Sequence, residues 1–85
     1  MILVIDLSKK EPCLLIKQGH KEIASHQWAG LYQLSETLLI EIDKFLRKNK
    51  VELIQIKEIK VIPSPESLVS NRIAKAVALG LKTNI

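Results

Sequence analysis

The chain has 85 residues and a mass of 9.6 kDa, 47% hydrophobic and 26% charged, which is too apolar for a disordered tail and too short for more than one domain, residues 1–85. Its 13 basic and 9 acidic residues give a net charge of +4, but eight cations and six anions lie in residues 1–50 and five and three in the remainder, so no basic block signals nucleic-acid binding. A single cysteine, Cys13, excludes an internal disulfide and reads as a reduced thiol in a cytoplasmic protein, and neither a bilayer-spanning run nor a signal peptide is legible.

Met1 to Leu7 is a β-branched apolar run closed by Asp6, Ser8 and two lysines. With no polar face across Ile2, Leu3, Val4 and Ile5, it reads as a central strand covered on both sides. Pro12 introduces a second strand, Cys13 to Lys17, and the short Gln18–His20 connection makes a hairpin with a third, Lys21 to Trp28. Gly30 breaks the pattern. Ser35 followed by Glu36 starts a helix, whose apolar stripe is Leu38, Leu39, Ile42, Phe45 and Leu46 and whose C-terminal end carries Lys44, Arg47, Lys48 and Lys50. A fourth strand is expected at about residues 57–62, ended by Pro63 and Pro65. Ser67 or Ser64 then caps a second helix to about residue 80. Val69, Ile73, Ala76, Val77 and Gly80 form its inward face, with Ala74, Ala78 and Leu81 on a flank turned away. A helix so nearly apolar all round is expected to be buried on more than one side.

The order strand, strand, strand, helix, strand, helix, with the fourth strand beside the first, gives a mixed sheet in the order 3-2-1-4. The right-handed crossover rule then places both helices on one face of the sheet. The other face is bare unless a partner, most simply a second copy, covers it or the second helix swings across.

This α/β order is that of the opening half-lobe of ribonuclease-H-like and actin-like (ASKHA) folds, and here the residues carry a closer resemblance. Ile2, Leu3, Ile5, Asp6 and Ser8 resemble the ILxIDTS strand that opens the TsaB (YeaZ-type) family, with Leu7 in place of threonine. Ser35, Glu36, Leu38 and Leu39 are similar to its HSELLL helix start, although Leu34 stands at the histidine and Thr37 at a leucine. Pro65, Ser67, Arg72 and Ile73 fall in register with GPGSFTGLRIG, and Ala76, Ala78, Gly80 and Leu81 match the small-residue helix that follows. Ser64, Glu66 and Ser70 replace glycines of that stretch. The resemblance covers essentially the whole chain but only the first lobe of the family. It implies a non-catalytic scaffold or homodimerisation module, like the partner subunit of the system that forms threonylcarbamoyladenosine in tRNA. Such a module would dock to itself or to a TsaD-like catalytic subunit through its helices and would meet tRNA only indirectly.

Chemistry read from the residues agrees that this is not an enzyme on its own. The two turns that would hold nucleotide phosphates, Asp6–Glu11 and Pro63–Ser67, lack glycine, and Glu66 would repel an anion, so no nucleotide or other cofactor is expected. Asp6 reads as a turn aspartate bonded near Ser8 rather than a metal or base carboxylate. His20 and His26 have no third ligand at metal spacing and read as solvated or strand-edge side chains. Cys13 reads as a small buried hydrophobe. Trp28 and Tyr32 read as a lid over the sheet edge or the start of the first helix rather than a stacking platform for bases. The candidate interface is Leu38, Ile40, Arg72, Ile73, Ala74, Val77, Ala78 and Leu81, with Ile40 an exposed aliphatic residue in a monomer. Arg72 and Lys75 could touch phosphate. The alternative function from another class is a small RNA-binding or regulatory adaptor using the dispersed lysines, which a steep salt dependence of RNA binding would reveal.

Overall fold

A computed structural model describes residues 1–83. Strands β1 (Ile2–Asp6), β2 (Cys13–Gln18) and β3 (Lys21–Gln27) form an antiparallel meander, helix α1 (Leu34–Lys48) follows, and β4 (Glu58–Ile62) leads into helix α2 (Leu68–Lys82). The sheet order is β3-β2-β1-β4, with β4 parallel to β1, as the alternation of apolar runs and turn residues predicts. Gly19, at φ 64°, makes the tight turn between β2 and β3, a conformation glycine adopts without steric cost.

Register decides which side chains share a face. Leu3 lies opposite Ile16 and Ile59, and Ile5 opposite Leu14 and Val61. These residues join Leu38, Ile42 and Phe45 of α1 and Ala74 and Ala78 of α2 in one buried cluster, so both helices cover this face and α2 does not swing across. The expectation that β1 is covered on both sides is therefore corrected. Val4, opposite Leu15 and Lys60, belongs to the other face, which carries no helix. It is nevertheless only 3% exposed, because the side chains of a central strand are flanked by those of the strands on either side.

The start of α1 differs from the sequence reading. A single 3-10 turn at Leu31–Gln33 runs into α1, so the helix begins at Leu34 behind Gln33 with no side-chain cap, and Ser35 lies inside it rather than capping it. On α1 the buried stripe is Leu34, Leu38, Ile42, Phe45 and Leu46, whereas Leu39 is 58% exposed. It lies about 100° around the helix from Leu38 and so leaves the seam.

At α2 both candidate serines act. The Ser67 Oγ accepts from the Ser70 backbone N–H at 3.1 Å, and the Ser64 Oγ accepts from the N–H groups of Glu66 and Ser67. Replacing Ser67 by alanine frees a helix donor and removes the hydrogen bond from Ser67 Oγ to Ser70 Oγ. A loss of about 1 to 2 kcal/mol in urea unfolding is expected, and an unchanged midpoint would show that this cap contributes nothing.

Candidate interface on the helical face

The buried seam of α2 is turned around the helix from the one read from the sequence. Ser70, Asn71, Ala74 and Ala78 are buried, and Ala74 is fully inaccessible. Ala74 and Ala78, assigned above to an outward flank, therefore pack inside this chain and are not available to a partner. The reason is their size: small side chains let α2 approach the sheet and α1 closely, and Ser70 fits the same seam because its hydroxyl donates to the Leu31 carbonyl at 2.7 Å. Asn71 is tolerated inside for a similar reason. Its side chain accepts from the Ser64 N–H at 2.6 Å and donates to the Ser64 carbonyl at 2.9 Å, tying the helix to the strand-exit loop.

Of the face expected to be inward, Ile73 and Val77 do pack against the core, whereas Val69, Ala76 and Gly80 form the outer flank. Val69 is 66% exposed, Ala76 and Gly80 are exposed, and Ile73 and Val77 are half-buried. Of the remaining candidates, Leu38 is fully buried and so is also removed from the interface. Ile40 is 55% exposed, as expected of a monomer. Arg72 is exposed and Leu81 half-buried.

Between the helices these residues build a groove. One cleft of about 420 Å³ is walled by Leu39, Ile42 and Leu46 of α1, by Val51 and Leu53 beyond it, and by Leu81 of α2. A second, also about 420 Å³, is lined by Leu39, Ala76, Val77, Gly80 and Leu81. Leu39 and Leu81 belong to both, so the two clefts form one continuous groove, apolar except where Asp43, Arg47 and Glu52 also line the first. Sequence reasoning did not place Leu39, Val51 and Leu53 in this groove.

The polar candidates fall elsewhere. Asp6 Oδ1 accepts from the Ser8 N–H at 2.9 Å and the Ser8 hydroxyl at 2.6 Å, which is the turn aspartate expected. Near it a cleft of about 580 Å³ is bordered by Ser8, Lys9, Lys10, Tyr32, Ser64 and Glu66. Tyr32 is 74% exposed and forms no lid, whereas Trp28 packs on the core edge and its Nε1–H points to Thr37 Oγ1 at 3.3 Å. His20 is exposed. His26, on the edge strand β3 as one of the two readings expected, is half-buried, with Nε2 3.0 Å from Glu41 Oε2 and its ring stacked on those of Trp28 and Phe45 at 5.8 and 6.0 Å. Among the described residues no three His, Cys, Asp or Glu side chains could hold a metal ion, and no helix is long and apolar enough to cross a membrane. Cys13 is buried, and that burial pushes its thiol pKa up.

Neither a family model nor a curated protein matches the chain. Among solved structures it is similar to YeaZ from Pseudomonas aeruginosa, with a TM-score of 0.82 and 22% sequence identity, over 98% of this chain and 38% of that one. A structure described as an uncharacterized protein with similarity to peptidase YEAZ, from the same organism, gives the same TM-score, identity and coverage. The chain spans 38% of the length of each. At this identity the likeness establishes a YeaZ-like fold, a ribonuclease-H-like half-lobe with a mixed four-stranded sheet and two helices.

Proposed function

We propose that this chain is a non-catalytic docking module that pairs with a second copy of itself through the outer groove of α1 and α2. The observation that carries the proposal is the continuity of that groove. Leu39 and Leu81 line both clefts and Val77 lines one of them, and Val69, on the same flank of α2 as Ala76 and Gly80, extends the apolar surface at 66% exposure. Exposed aliphatic side chains scattered singly carry no meaning, but a contiguous set along two helices is the surface that a helical partner buries. Small residues at Ala76 and Gly80 let the partner's helix come close.

The YeaZ-like fold and the motif resemblance support a setting for this docking, the formation of threonylcarbamoyladenosine in tRNA. There the module would act in the cytoplasm as a scaffold for a TsaD-like catalytic subunit and would approach tRNA only through it. Sedimentation equilibrium at micromolar concentration tests the pairing. The wild-type chain is expected to sediment as a dimer, and Leu39→Glu with Val77→Glu to shift it to 9.6 kDa without loss of helical circular dichroism, since Leu39 is exposed and Val77 half-buried. A wild-type monomer at all concentrations would overturn the proposal.

A further inference from the structure

Apart from the helical groove, a second concave surface combines three features that a peptide-binding site needs. The first is a free strand edge. β3 ends the sheet, so along one side its backbone N–H and C=O groups have no strand to pair with. Its two halves differ. Near Lys21 and Glu22 the strand is charged and its pairing with β2 shifts register at Ile16/Lys17, features that discourage a further strand. From Ala24 to Gln27 the pairing is regular, and nothing comparable protects the edge.

The second feature is a helix alongside that half. A cleft of about 430 Å³ lies between the strand and α1, walled by Ala24 and His26 on one side and by Glu41, Lys44, Phe45 and Lys48 on the other. The third is a distribution of charge that selects the occupant. Glu41 is engaged by His26 at 3.0 Å, whereas Lys44 and Lys48 are exposed, one helical turn apart, and in no ion pair with a described residue. The cleft is thus apolar along Phe45 and Ala24 and cationic at its lip.

We infer that the groove between β3 and α1 binds an extended acidic peptide segment, which adds as a fifth strand to the Ala24–Gln27 edge. Backbone hydrogen bonds to the edge would supply affinity independent of sequence, and alternate side chains would enter the cleft. Glutamate suits those alternate positions: its methylene stem lies along Ala24 and the aliphatic stems of Lys44 and Lys48 while its carboxylate reaches their ammonium groups. Residues pointing the other way would lie beside Ser25 and Gln27 and can be β-branched.

The test uses the full chain and three blocked probe peptides. One is acetyl-(Glu-Val)₃-amide, one is its Lys-Val counterpart, and one is the Glu-Val sequence N-methylated at alternate residues so that it cannot pair with a strand edge. Amide chemical shifts are followed during titration. The Glu-Val peptide is expected to shift the amides of Ala24 to Gln27 and of Lys44 to Lys48, and to bind at least about tenfold more tightly than the other two. Lys44→Glu with Lys48→Glu, both at exposed positions, is expected to reverse the preference in favour of the Lys-Val peptide. Absence of shifts on β3, equal binding of the N-methylated peptide, or no change of preference in the double variant would each overturn the inference. So would tighter binding of an oligouridylate at the same residues, since that would assign the lysines to phosphate. None of these outcomes depends on the dimer, which buries a different flank of α1.

Discussion

Replacing Ala74 by glutamate is expected to destabilise this domain severely. The side chain at that position has no exposed surface and sits in the cluster that joins α2 to the sheet and to α1. A larger residue has no space there without moving the helix, and a carboxylate would be left without a partner, at a cost of about 3 to 5 kcal/mol. A domain of this size has on the order of 4 to 13 kcal/mol of stability in total. Urea unfolding followed by far-ultraviolet circular dichroism should therefore show a midpoint far below that of the parent, or no transition at all where the parent's stability lies at the low end of that range. Lys75→Glu, at the neighbouring exposed position outside the groove, should stay within about 0.5 kcal/mol of the parent. Similar midpoints for the two variants would mean that α2 does not dock in the orientation described.

Asn71 gives the second large effect. Its amide answers both backbone groups of Ser64, one as acceptor and one as donor, in a buried setting. Asn71→Leu removes both and leaves a buried N–H and C=O unpaired, so a loss of about 2 to 4 kcal/mol is expected. Asn71→Asp is the more telling variant. It retains the acceptor for the Ser64 N–H, but it turns a carboxylate oxygen toward the Ser64 carbonyl, where the native residue places an NH₂. At neutral pH its destabilisation should be at least as large as that of the leucine variant, and it should shrink as the solution is acidified and the new carboxyl takes up a proton. An Asn71→Asp protein as stable as the parent at neutral pH would show that the donated bond to the Ser64 carbonyl is not required.

What could be read from the sequence follows from how many constraints acted on each element. The strands, their order and the single-sided helical layer were legible, because apolar runs, turn residues and crossover handedness all pointed the same way. The inward stripe of α1 was legible except at Leu39, where leucines occupy adjacent positions and periodicity alone gives the stripe no edge. On α2 periodicity placed Ile73 and Val77 against the core correctly but missed the centre of the buried seam. Val69, Ile73 and Val77 form as regular a series as Ser70, Ala74 and Ala78, and hydrophobicity favours the first set. The second set is inside because α2 packs at short range, where small side chains win over large ones and two polar ones are satisfied by specific partners. Those partners, the Leu31 carbonyl and the Ser64 backbone, are distant in sequence or hidden in a loop. The cleft beside β3 was not legible either, since it depends on which strand ends the sheet and on where α1 lies above it.

The position of β1 sets an unequal cost on the two contacts that build the sheet. Ile2 meets Lys17 across the hairpin side and Glu58 across the crossover side, so the second contact closes a loop roughly fourfold longer, and a logarithmic dependence on length makes that closure only about 1 kcal/mol more costly. The greater demand is on order. The meander can form from neighbouring segments alone, whereas β4 reaches its place beside β1 only after α1 has carried the chain back over the sheet. The first residues of the chain thus form the axis on which the last strand is hung, and a change at Leu3 or Ile5 is felt at both ends of the sequence at once.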